Sequence, residues 1–195
     1  MKSIILSMSF LAFSFIAIGQ IPVGTKLLGG NIGLGIQKIE QSSHVNRSIG
    51  FVISPKVGKA VKDNVVNGGG LNYSFSERKQ SNQPTYTSQN VGLYLFKQKY
   101  LPIGKAFMVF GEGNIGAGYG WDNDITNSYN LFAGLGAGLA YNASNKMLLT
   151  LSVPNIVYAS TGFQKSRGVD GFTFNAGLYT TASINNLQAG ILLMR

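Results

Sequence analysis

The chain has 195 residues, 45% of them hydrophobic and only 12% charged, with a net charge of +9, 26 glycines and no cysteine. That length suits one domain and is short for two. The missing cysteines exclude disulfide staples, zinc ribbons and a cysteine nucleophile, and past the N-terminus no apolar run reaches the ~18 residues that a spanning helix needs.

The opening residues read as a targeting segment. Met1 and Lys2 make a short positive start, Ile4 to Ile18 is apolar but diluted by Ser7, Ser9 and Ser14, and Ala17-Ile18-Gly19 offers small residues for cleavage before Gln20. About 15 residues is short for an anchoring helix, and Ile21-Pro22-Val23-Gly24 is no stop-transfer sequence. Residues 1–19 are therefore expected to be a signal peptide, and 20–195 one domain.

From residue 25 onward the pattern has a period of two, the side-chain repeat of a strand. Leu28, Ile32, Leu34 and Ile36 share one face against Gly33, Gly35 and Gln37. Ile49, Phe51, Ile53 and Val57 oppose Gly50, Ser54, Lys56 and Gly58; Val65, Leu71, Tyr73 and Phe75 oppose Gly68, Gly70, Asn72 and Ser74. Residues 91–100 are apolar on both faces, and the expected outward set is Val91, Leu93 and Leu95. Phe107, Val109, Ile115, Ala117, Tyr119 and Trp121 then oppose Glu112, Asn114, Gly116 and Gly118. Odd positions from Tyr129 to Tyr141 oppose a glycine-rich set, and Met147, Leu149, Leu151 and Val153 oppose Thr150 and Ser152.

The final stretch changes phase. Phe172, Phe174, Ala176 and Leu178 are even, whereas Leu187, Ala189, Ile191 and Leu193 are odd. A bulge within 180–186 keeps these in one strand, whereas a turn at Asn185-Asn186 would add another; the bulge preserves an even count.

Connections alternate. Residues 38–48, 77–89, 122–128 and 160–170 are long and polar, while 61–64, 102–105 and 142–145 are tight turns. Large apolar residues on one face and glycine, Ser, Thr and Asn on the other suit a narrow closed sheet whose outside meets lipid. A soluble, lipocalin-like barrel would carry more charge outside. The expected fold is thus all-β: an antiparallel transmembrane β-barrel of about eight strands in an up-and-down meander. Its long connections would lie outside the cell, with both chain ends in the periplasm.

Ser54-Pro55-Lys56-Val57-Gly58 with Val61-Lys62-Asp63-Asn64, and Tyr100-Leu101-Pro102 with Gly104-Lys105 and Phe110-Gly111-Glu112-Gly113, form two hairpin motifs. With the opening Gly24-Thr25-Lys26-Leu27-Leu28-Gly29-Gly30, they resemble a family of small outer-membrane β-barrel proteins common in Bacteroidota. The likeness spans most of 20–195. Gln98 and Lys99 stand where that family usually has Arg and Tyr, and the sequence closes on Leu192-Leu193-Met194-Arg195 where the family usually ends in an aromatic residue. The resemblance implies a porin-like barrel in the Gram-negative outer membrane, inserted by the barrel-assembly machinery. It implies no activity, since most members have none assigned.

Signals for catalysis are sparse. His44, the single histidine, sits near Glu40, Ser42 and Ser43, but neighbours in a flexible loop do not hold a triad. One histidine, no cysteine and scattered carboxylates do not assemble a transition-metal site. The glycines of 111–118 recur at strand spacing and lack the following helix of a phosphate loop. No cofactor and no enzyme activity are expected.

The polar candidates for the interior are Lys56, Glu112 and Asn114. A buried carboxylate should be paired, and the partners for Glu112 are Lys56 or, should residue 97 point inward, Lys97. Glu112 is expected to plug the interior, with a gate on a narrow ion path as the sharper reading.

Without Lys2 the chain carries 15 basic and 7 acidic residues, 15 − 7 = +8. The half with the tight turns holds nine basic residues against Asp63 and Glu112, 9 − 2 = +7. Lys59, Lys62, Lys99 and Lys105 form the rim expected to meet anionic inner-leaflet headgroups or an acidic periplasmic partner. These lysines share no helix and no aromatic platform, so nucleic acid is not the expected partner. The expected role is structural or surface-interacting through four polar outer loops. The alternatives are a narrow pore or transport-associated barrel and, less favoured, a lipid-modifying enzyme.

Overall fold

The computed structural model describes residues 20–41, 44–80, 84–123, 127–166, 169–178 and 187–195; the expected signal peptide lies outside them. The strands are β1 (Lys26–Gln41), β2 (His44–Lys62), β3 (Val65–Gln80), β4 (Tyr86–Pro102), β5 (Phe107–Asp122), β6 (Asn127–Ser144), β7 (Met147–Ser166), β8 (Val169–Leu178) and β9 (Gln188–Met194). Each of β1 to β7 pairs antiparallel with the next, a meander. The sheet returns on itself because β9 pairs on one side with β7 and on the other with β1.

Nine strands occupy eight places in this ring. β8 runs along Val157–Ser166 of β7, and β9 along Met147–Ser152 of the same strand. From Leu178 to Gln188 there are ten chain steps, opposite only five from Val157 to Ser152. The odd surplus turns the phase over. Phe172, Phe174 and Leu178 on even positions and Ile191 and Leu193 on odd ones all reach the outer surface. The bulge expected within 180–186 itself lies outside the described residues.

A second irregularity escaped the sequence reading. Two steps along β6, Leu135 to Ala137, correspond to four along β7, Val157 to Val153. The surplus contains Pro154, which brings no N–H to the ladder, and Asn155 in the left-handed region at φ 55°. Asparagine tolerates that conformation better than most residues.

The tight turns fall where expected: Asp63-Asn64, residues 103–106 and Asn145-Lys146 separate strands. Three of the four long connections do not. Most of 38–48, 77–89 and 160–170 is strand, since β1 and β2 extend to Gln41 and His44 and β7 and β8 to Ser166 and Val169, whereas 122–128 still separates β5, which ends at Asp122, from β6, which begins at Asn127. Polar residues on both faces hid the strand period there, while backbone pairing such as Lys38↔Arg47 and Arg78↔Tyr86 carries the hairpins on.

Orientation follows the alternation. Leu34, Leu93, Leu95, Ile115, Leu131 and Leu135 are among the exposed outer residues, Leu93 and Leu95 at 65% and 67%. The expectation of a uniformly small inner face holds only in part. Near the tight turns the inner positions carry Leu27, Val66, Phe96, Tyr100, Met108, Phe110, Leu148 and Leu192, which form a buried core with Ile21 from the segment preceding β1. Glycine makes room for them. A Cβ on Gly68 would stand 2.5 Å from Phe96 Cζ, and one on Gly138 would stand 2.6 Å from Phe110 Cζ.

Candidate functional site

Lys56 on β2, Gln98 and Tyr100 on β4, and Glu112 on β5 are all even-numbered and therefore point to the interior. Register sets Gln98 directly opposite Glu112, and Tyr100 opposite Phe110. Lys56 lies opposite Gly70, whose missing side chain makes room for the Tyr94 ring from β4. Its ammonium stands 3.3 Å from Glu112 Oε2 and 5.2 Å from the centre of the Phe96 ring.

The same carboxylate oxygen accepts a 2.6 Å hydrogen bond from Gln98 Nε2. Gln98 Oε1 in turn accepts 2.9 Å from the Tyr100 hydroxyl. Lys56, Gln98 and Tyr100 are almost wholly buried. A charge in such surroundings is costly unless paired and hydrogen-bonded, and here both conditions are met. The cluster is a neutral clamp that ties β2, β4 and β5 across the interior.

On one side of the clamp lies the apolar core. On the other, the interior is polar. Asn31, Ser54, Thr150 and Ser152 are buried there, with Ser54 Oγ 3.3 Å from Asn72 Oδ1 and Asn114 Nδ2 3.4 Å from Asn155 Oδ1. A cavity of about 320 Å³, lined in part by Gly50, Ser74, Ser76 and Gln188, opens farther along.

The structure therefore joins Lys56 and Glu112, while Asn114 lies one inner position beyond Glu112 and bonds to Asn155 instead. Lys97 is excluded as a partner: its side chain is on the outer surface, as the outward choice of Val91, Leu93 and Leu95 already required. Gln98, Tyr100 and Phe96 were missed. Their signal was available, because once the odd positions of 91–100 face outward the even ones must face in. Asn155 had none, because its place depends on the β7 irregularity.

Lys59, Lys62, Lys99 and Lys105 are all exposed at the tight-turn end. Since Lys56 and Glu112 cancel inside, eight exposed basic residues face Asp63 alone at this end among the described residues, 8 − 1 = +7. Glu40 and His44 belong to β1 and β2, where Gln41 pairs with His44 at the hairpin tip; Ser42 and Ser43 lie outside the described residues.

The outer surface shows a further order. Rings pair at the end away from the tight turns, Phe51 with Phe75 at 5.5 Å, Tyr119 with Tyr129 at 5.1 Å and Phe163 with Phe172 at 5.2 Å. Phe107 and Tyr141 pair at 5.0 Å near the tight turns. Aliphatic residues occupy the wall between these levels. No protein-family model matches the chain, and neither does any curated protein.

Proposed function

We propose that this chain is an outer-membrane β-barrel protein of a Gram-negative envelope, akin to the small Bacteroidota barrels its hairpin motifs resemble. In this reading it spans the bilayer with the tight turns and both chain ends in the periplasm. Its role is structural or surface-interacting, without catalysis. The observation that carries the reading is the outer wall, an exposed aliphatic band bounded by three aromatic pairs away from the tight turns and by the Phe107–Tyr141 pair near them. Lipid-facing walls have this arrangement, with aromatic girdles at the two interfaces. In water the same wall would be an apolar patch far larger than monomeric proteins expose.

Strand length supports it as well. About 9–11 residues cross a bilayer, so strands such as β7, with 20 residues, have polar arms to spare beyond the outer girdle. Those arms, rather than loose loops, are the surface offered to the environment.

The test is outer-membrane fractionation of the expressed chain together with heat-modifiability on a gel. The expected result is a membrane-bound protein whose unheated form migrates faster. Recovery in the soluble fraction, or a single unshifted band, would overturn the reading.

A further inference from the structure

We infer that the outer wall carries a discrete binding site for one anionic phospholipid of the inner leaflet; the inference rests on the membrane reading above. Register places four polar residues in one outward row across neighbouring strands: Lys26 opposite Lys59, Lys59 opposite Asn67, and Asn67 opposite Lys97. All four are exposed, and Lys99 follows two residues along on the same face. Adjacent strands lie about 5 Å apart, so three ammonium groups and an amide line a span the size of a phosphate headgroup and its glycerol.

Like charges set directly opposite destabilise a sheet, and Lys26 and Lys59 are such a pair. Among the described residues the ion pairs are Lys56–Glu112 and Lys79–Glu77, so no carboxylate is shared with this row. An anion seated on it relieves the repulsion.

Beyond Lys97 the same row continues into an apolar groove of about 1260 Å³. Gly113 and Ala133 are its low points, and Leu95, Ile115, Leu135 and Val157 rise beside them. The row moves steadily away from the tight turns, from Asn67 near the start of β3 to Leu135 and Val157 midway along β6 and β7. Its basic foot thus lies at the periplasmic boundary and its apolar length climbs the wall. That is the shape of one lipid, head below and acyl chains above. A free phosphate would use the foot and leave the groove without purpose, so the occupant is the lipid.

The test takes the full chain purified in mild detergent and offered equal phosphatidylglycerol and phosphatidylcholine, with retained lipid counted by native mass spectrometry. The wild type is expected to hold one phosphatidylglycerol. Lys59→Gln with Lys97→Gln should lower that retention about thirtyfold, taking each cation at about 1 kcal/mol. Gly113→Phe, which fills the groove and leaves every lysine in place, should lower it too, whereas Lys62→Gln with Lys105→Gln should not. Each variant is first checked for the heat-dependent gel shift, so that misfolding is not read as lost binding.

Equal retention of the two lipids, indifference to the row and groove variants, or a second copy of the chain seated in the groove would overturn the site. A chain that shifts on heating and fractionates with outer membranes yet holds no lipid overturns this site alone. A soluble chain overturns the membrane reading with it.

Discussion

Lys56 Nζ lies 3.3 Å from Glu112 Oε2, joining residues 56 apart in sequence across the interior. Removing one member of a buried pair strands the other charge, which costs more than the pair contributes. Lys56→Met is expected to destabilise the protein by about 3 kcal/mol, while Lys56→Met combined with Glu112→Gln restores most of the loss. Urea unfolding of the lipid-reconstituted protein, followed by gel shift, measures both. A double variant no more stable than the single one would remove the clamp from the account.

Gly68 separates packing from composition. The Val57 carbonyl and the Phe96 ring stand where its Cβ would go, whereas a Cβ on Gly113 meets only Leu135 Cδ2 at 3.5 Å. Gly68→Ala should therefore cost about 2 kcal/mol through overpacking, and Gly113→Ala stay within about 0.5 kcal/mol. The same unfolding experiment compares them, and equal costs would contradict the glycine-under-ring arrangement.

Leu135 is 57% exposed on the outer wall, midway along β6 between Tyr129 and Tyr141 of the two aromatic levels. Facing lipid near the bilayer midplane, Leu135→Arg costs about 2–4 kcal/mol; facing water it would change stability by less than about 0.5 kcal/mol. Folding yield and unfolding midpoint in phospholipid vesicles tell the two apart, and the larger loss is expected.

The basic rim should respond to lipid charge. Replacing Lys59, Lys62, Lys99 and Lys105 together by Gln removes about 1 kcal/mol of attraction per residue near an anionic surface. Partitioning onto phosphatidylglycerol vesicles should fall and partitioning onto neutral ones should not. Unchanged partitioning onto both would exclude the rim as an anchor.

No steady conductance is expected in planar bilayers. Val66, Phe96, Tyr100, Met108, Phe110, Leu148 and Leu192 fill the interior below the clamp, and about eight strands leave little lumen to begin with. Well-defined channels would reverse the order of the structural and transport readings.

Much of this was legible in the sequence because strand alternation is a local signal. The apolar outer face of each strand, the three tight turns and the Lys56–Glu112 pairing all follow from alternation and residue type. What was hidden depends on register. Residues 38–48 and 160–170 read as loops because polar residues on both faces erase the period, although their backbones pair. Phe96 and Tyr100 were obscured because 91–100 is apolar on both sides, and the core at the tight-turn end was obscured with them. The outward row from Lys26 to Lys97 joins four positions on four strands, and no window along the chain brings them together.

Lys26 and Arg195 exchange backbone hydrogen bonds, the Lys26 N–H to the Arg195 carbonyl at 2.7 Å and the Arg195 N–H to the Lys26 carbonyl at 2.9 Å. Closure thus waits for a contact between residues 169 positions apart, 195 − 26, and loop-closure entropy makes such contacts slow to form. Until β9 arrives, the edge of β1 from Leu27 to Gly33 has bare amides and carbonyls on one side, a template for the wrong strand. The interval before β9 docks, more than the closed ring itself, is when that edge is open to mispairing.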